Sequence, residues 1–114
     1  MQRDPRAFLW DVREAARAIQ GFTQGMDANA YASHAMAQAA VERKFEVIGE
    51  ALNQLAKLDP SMASRIPDLP KIVAFRNQLI HGYALLNVGT VWNIVQNALP
   101  GLLSTVEALL ALED

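Results

Sequence analysis

The sequence contains no cysteine, which removes disulfides, thiolate nucleophiles and thiolate-bound zinc together. That fits a reducing compartment. Histidine is almost as scarce. His34 and His81 are the two imidazoles in 114 residues, they lie far apart, and no carboxylate pair brackets either at ligand spacing, so neither a metal nor another cofactor is implied. An excess of charge of one sign is also missing. Ten basic against twelve acidic side chains leave a formal net charge of -2, so no global basic field draws in a nucleic acid, and any such contact must be local. No apolar run reaches membrane-spanning length, and Met1-Gln2-Arg3-Asp4-Pro5 lacks the apolar stretch of a signal peptide. These absences predict a soluble cytoplasmic protein with no membrane partner.

What is present is helical periodicity nearly throughout, without alternating strand patterns or repeats. The length predicts a single domain, 1–114, with apolar surface left over for association. Asp4 followed by Pro5 signals a helix start. Phe8, Val12, Ala15, Ile19 and Phe22 then recur at steps of four and three, giving one apolar stripe that should end near Gly21 or Gly25. Asp27 is a second cap, and a long helix is predicted from about residue 29 to 57, with Val41, Phe45, Ile48, Leu52 and Leu55 on one face and Glu42, Glu46, Glu50, Asn53 and Lys57 opposite. Asp59-Pro60 ends it. A connector rich in proline, with one helical turn at Met62 to Ile66, leads to a third helix from Leu69 or Pro70 to His81, closed by Gly82. Asn87 caps a last helical region that Pro100 kinks or divides. The expectation is an all-α, antiparallel four-helix bundle.

One segment concentrates chemistry: Arg76-Asn77-Gln78-Leu79-Ile80-His81-Gly82-Tyr83. Arginine offers a permanent charge in a planar fork suited to phosphate oxygens, and histidine titrates near neutral pH. Asn77 and His81, four apart, share a helix face. Arg76 lies about 140° from His81 when each residue turns about 100°, so one chain does not clamp one phosphate, and a second copy across a two-fold axis would complete the cluster. The carbonyl end of a helix attracts positive charge, which suits an imidazolium acting as a general acid. Residue types alone favour a plainer account, in which Arg76 and Asn77 are surface groups, His81 a dipole partner, Gly82 a C-cap and Tyr83 a packing ring.

The string Phe75-Arg76-Asn77-Gln78-Leu79-Ile80-His81-Gly82-Tyr83 resembles the signature of HepT-like toxins of the HEPN superfamily: Arg, four residues, His, one residue, Tyr. Upstream, Ala40 to Ala51 resembles the family's long-helix segment ending in Ile48-Gly49-Glu50-Ala51. Downstream, Val91-Trp92-Asn93-Ile94-Val95 leading to Leu99-Pro100 resembles its last helices. The resemblance implies an all-helical, homodimeric, metal-independent endoribonuclease, the toxin of a type VII-like toxin–antitoxin pair. It makes Arg76 and His81 catalytic, with Asn77 orienting the phosphate or the imidazole. It makes Tyr83 the residue that a minimal nucleotidyltransferase antitoxin adenylylates in some pairs, blocking RNA by bulk and charge. Glu50 becomes a supporting group that bonds to Arg76 or its neighbours, against the alternative of a solvated carboxylate.

Other side chains have weaker claims. Arg6, Arg13 and Arg17, with Gln20 and Gln24, share a face of the first helix that would track an RNA backbone, although Asp11 and Glu14 dilute its charge, and a solvated face is the default. His34 is expected to be exposed or structural. Trp10 and Trp92 are expected to be core or interface anchors before they are base-stacking platforms. The competing functional reading is a non-catalytic helical dimer that binds a nucleotidyltransferase or a nucleotide through the same arginine and tyrosine.

Overall fold

Asp4 starts the first helix as its residue type demands. In the computed structural model, which describes residues 3–81 and 87–112, its carboxylate accepts the Arg6 backbone N–H at 2.8 Å, with Pro5 at the first helical position. Helix α1, Pro5–Thr23, buries Leu9, Val12, Ala16 and Ile19 completely. Phe22 departs from the predicted stripe and is 40% exposed. Thr23 takes the buried place beside it, its hydroxyl donating back to the Ile19 carbonyl at 2.9 Å.

The long second helix is broken at its start. Asp27 caps only a short α2, Ala28–Ala32, by accepting from the Ala30 N–H at 2.8 Å. His34 then caps α3, Ala35–Leu58, its Nδ1 accepting from the Ala37 N–H at 3.0 Å. Gln38 bridges the break, donating to the Tyr31 and Ala32 carbonyls at 2.8 and 3.1 Å, so backbone acceptors freed at the end of α2 are not left unpaired. The break lets Tyr31 fold wholly into the core against Trp92, ring centroids 5.2 Å apart. From there α3 runs for roughly 36 Å, with Val41, Phe45, Ile48, Leu52 and Leu55 buried as their spacing predicts.

Asp59 ends α3 and caps α4, Pro60–Ala63, accepting from the Met62 N–H at 3.0 Å. The connector's helical turn therefore begins two residues earlier than predicted, because proline at the first position costs no hydrogen bond. Helix α5, Leu69–Ile80, ends on His81 as expected; Gly82, its predicted terminator, lies outside the described residues. Asn87 caps α6, Val88–Asn97, accepting from the Gly89 N–H at 2.7 Å. The chain then bends by 41° before α7, Leu99–Ala111, at the place predicted from Pro100, which a helix accepts only in its first turn.

The all-α expectation is met, with seven helical segments among the described residues. Two of them, α1 and α5, match single helices of the expected four. The second expected helix is divided into α2 and α3, and the fourth into α6 and α7. Helix α3 is the spine: α1 lies along it, α5 packs on another flank, and α7 closes against α1. No single helix among the described residues is long and apolar enough to cross a membrane; only the bent α6–α7 pair reaches that apolarity, and its Val91, Val95, Leu99 and Val106 are core residues.

Candidate functional site

Helix α5 packs chiefly on α3, and the face it turns inward carries Arg76. The side chain is only 23% exposed. Its guanidinium crosses to α3, where Nη2 donates to Glu50 Oε2 at 2.5 Å, and Nη1 donates to Asn77 Oδ1 at 2.9 Å. The other Glu50 oxygen accepts from Gln54 Nε2 at 3.0 Å. The carboxylate is thus fixed from one side and fixes the arginine on the other. Arg76 Nε is buried and has no hydrogen-bond partner.

The helices meet closely at this point. A Cβ placed on Gly49 would overlap the Cβ and Cγ of Arg76, so the stem of Arg76 lies over the bare backbone of α3. Gly49 and Glu50 form one seat: the glycine admits the stem and the glutamate holds the head. The expectation that Glu50 bonds to Arg76 from the adjacent helix is met in the geometry. His81 is exposed at the C-terminal end of α5, in right-handed conformation (φ -75°, ψ -1°), its backbone N–H donating to the Asn77 carbonyl at 3.1 Å. Tyr83 lies outside the described residues.

A surface cleft of about 250 Å³ opens beside the seat, between the approach to α1, α3 and α5. Arg3, Asp11, Arg43, Glu46, Glu50 and Arg76 line it. Arg3 Nη1 meets Asp11 Oδ2 at 2.8 Å, and Arg43 Nη1 meets Glu46 Oε1 at 3.3 Å. Three guanidiniums and three carboxylates thus converge in pairs. Sequence reasoning missed Arg3, Arg43 and the role of Gly49. Only the last had a signal, a glycine in mid-helix, where alanine would be favoured by about 1 kcal/mol.

The arginine stripe of α1 goes elsewhere. Arg6 Nη2 donates to the Leu110 carbonyl at 3.3 Å, Arg17 Nη2 pairs with Glu107 at 2.5 Å, and Arg13 pairs with Glu14 while lying 4.2 Å from the Trp10 ring centroid. Two of the three tie α1 to α7. Gln20 and Gln24 line a separate hollow against α6 and Pro100. Trp10, expected in a core or an interface, is 51% exposed under Arg13, whereas Trp92 is half-buried on Tyr31. Among the described residues no three His, Cys, Asp or Glu gather to hold a metal ion. Burial pushes the Tyr31 hydroxyl up to about 12, with Glu42 adding to the effect, and burial followed by repulsion from Glu46 raises Glu42 above the usual carboxylate range.

The placement of Arg76 and His81 at one end of α5, on a long helix bearing Ile48-Gly49-Glu50-Ala51, can be compared with known proteins. A family model described as "Ribonuclease HepT-like" matches residues 12–109. The chain belongs to the HepT-like ribonuclease family. A "Putative RNase" of Methanocaldococcus jannaschii is 33% identical to this HepT-like chain over 108 residues, covering 93% of the chain and 96% of the relative. A "Probable ribonuclease HepT" of Thermococcus cleftensis is 30% identical over 112 residues, covering 96% and 98%. No solved structure matches the chain closely enough to carry a comparison.

Proposed function

We propose that this HepT-like protein is a metal-independent endoribonuclease and the toxin of a type VII-like toxin–antitoxin pair, with Arg76 and His81 as its catalytic residues. The observation that carries the reading is the seat of Arg76: a guanidinium held by Glu50 and Asn77, its stem laid on Gly49, at the edge of an open cleft. Pre-organised positive charge of this kind stabilises a crowded phosphoryl centre at little cost of reorganisation.

The reaction is internal transesterification. A base takes the proton of a ribose 2'-hydroxyl, the oxygen attacks the adjacent phosphorus, and the bond to the 5'-oxygen breaks as an acid protonates that leaving group. The products are a 2',3'-cyclic phosphate and a 5'-hydroxyl. One motif histidine per chain does not serve as base and acid together, so the reading is a homodimer in which His81 of each protomer takes one role and Arg76 neutralises the non-bridging oxygens. Two features support association. Ile80, beside His81, is 45% exposed, and an apolar cleft of about 260 Å³ lined by Ile72, Phe75, Ile94 and Leu102 lies open between α5 and the α6–α7 pair.

The partner is a minimal nucleotidyltransferase antitoxin. Its action in this reading is adenylylation: the Tyr83 hydroxyl oxygen attacks the α-phosphorus of ATP, pyrophosphate departs, and the phenol proton passes to solvent. The AMP group adds bulk and negative charge two residues from His81, which opposes a polyanionic substrate.

Induced expression in a bacterial host tests the whole reading. Growth should stop with the natural chain and continue with Arg76→Ala or His81→Ala present at equal levels. Co-expression with a minimal nucleotidyltransferase antitoxin should add the mass of one AMP, lost in Tyr83→Phe. Arrest that persists in both motif variants would contradict the catalytic assignment.

A further inference from the structure

The cleft beside Arg76 holds two arginines for which the catalytic reading has no use. Arg3 precedes α1, Arg43 lies on α3 and Arg76 on α5, so three separate elements deliver guanidiniums to one hollow. The arginines at positions 6, 13 and 17, by contrast, bond to α7 or lie on Trp10. In a chain of net charge -2, this hollow gathers three guanidiniums, each paired with a carboxylate that a polyanion would have to displace.

The way the arginines are held matters as much as their number. Arg3 is fixed over the Phe8 ring, 4.8 Å from its centroid, and pairs with Asp11 through one terminal nitrogen. Arg43 likewise meets Glu46 through one terminal nitrogen. Each guanidinium carries five N–H donors, so these pairs leave donors over. The Arg3 and Arg43 side chains are 52% and 71% exposed, and exposed ion pairs contribute little and are readily exchanged. A phosphate offers the same fork-to-oxygen geometry as a carboxylate, with more oxygens. Three carboxylates also balance the cleft when it is empty.

We infer that this cleft is a backbone-phosphate subsite for single-stranded RNA, in which Arg3 and Arg43 take phosphates flanking the one that Arg76 engages, displacing Asp11 and Glu46. The inference rests on the ribonuclease reading for the role of Arg76, and adds two binding residues that act on affinity. Asp11 and Glu46 are competitors of the substrate. Removing Glu46's charge should therefore tighten RNA binding, whereas removing Arg43 should weaken it. A purely structural ion pair would give both variants the same sign.

The test uses the full chain carrying His81→Ala, so that bound RNA survives, and a short fluorescein-labelled single-stranded RNA of mixed sequence, with anisotropy read over a range of potassium chloride. Arg3→Ala and Arg43→Ala should each weaken binding several-fold and reduce the log–log salt slope by about one. Glu46→Gln should tighten binding, and Arg65→Ala, outside the cleft, should change nothing. In the natural background, Arg3→Ala/Arg43→Ala should raise KM and spare kcat. An unchanged affinity and slope in the double variant would overturn the subsite and leave the ribonuclease reading standing. Absence of RNA binding by the parent protein would also overturn it. Slope changes as expected with no cleavage by the natural chain would keep the subsite and remove the ribonuclease reading. Equal displacement of the RNA by a short poly-glutamate would assign the cleft to acidic protein segments and overturn the inference.

Discussion

Gly49 and Arg76 share one space: the arginine's Cβ and Cγ occupy the position where any other residue at 49 would carry its side chain. Gly49→Ala sets two effects against each other. Alanine gains roughly 1 kcal/mol as a helix former over glycine, while overpacking a tight contact costs about 1–3 kcal/mol. Because the obstacle is the Cβ of a residue on a packed helix and not the end of a flexible side chain, the second effect should win. Thermal unfolding should show a lowered Tm together with reduced RNA cleavage. Gly21→Ala is the control: it lies in α1 with nothing within 4 Å of the added carbon and should raise Tm.

Glu50→Gln keeps the shape of the seat and removes its charge. Arg76 Nη2 loses its charge-assisted bond, and a mispositioned guanidinium no longer meets the phosphorane squarely. The expected loss in kcat is on the order of 10- to 100-fold. KM should stay level or fall, since one negative charge leaves the cleft. A rise in KM with kcat unchanged would mean that Glu50 positions the substrate and not Arg76.

His34 is a structural residue with a specific task. Its Nδ1 accepts the Ala37 N–H at the start of α3, so His34→Ala should cost about 1 kcal/mol, the usual value of a lost N-cap. His34→Asp should restore it, because aspartate is a preferred cap. RNA cleavage should follow stability only. Chemical denaturation of the three proteins checks this, and equal stability of His34→Ala and the natural chain would remove the cap assignment.

The raised pKa of Glu42 has a stability consequence with a definite sign. Burial and repulsion by Glu46 disfavour its charged form in the folded state, so folding binds its proton more tightly than the unfolded chain does. The penalty is full above the raised folded value and disappears as pH falls below the ordinary carboxylate range. Glu42→Gln should therefore be more stable than the natural chain at neutral pH, and the difference in Tm should narrow on acidification. A gap that widens as pH falls would contradict the assignment.

Much of the fold is local and therefore legible. Asp4, Asn87 and the spacing of Val41, Phe45, Ile48, Leu52 and Leu55 dictate caps and a buried face whatever the rest of the chain does. The break at Ser33-His34 was not legible, because histidine is an uncommon cap and Gln38 only reveals its role once it reaches the Tyr31 and Ala32 carbonyls. Phe22 was misplaced because the stripe continues in period while Thr23 fills the core. At the candidate site, the family that the Arg76 to Tyr83 string resembles was readable, and the family match bears that resemblance out. Residue spacing alone left Glu50, 26 positions from Arg76, open as a partner or a solvated carboxylate, since the contact depends on how closely α3 and α5 pack. The arginine cleft was hidden for the same reason: Arg3, Arg43 and Arg76 become neighbours only through tertiary structure.

The most direct measurement is RNA cleavage by the purified chain in excess EDTA, with product termini identified, run beside His81→Ala and Arg76→Ala proteins whose fold and oligomeric state match the natural chain. The natural protein should release fragments ending in 2',3'-cyclic phosphate, and each variant should lose cleavage by about 100-fold or more, as expected when an acid–base group or a charge-stabilising donor is removed. Undiminished cleavage by His81→Ala in EDTA would contradict the account.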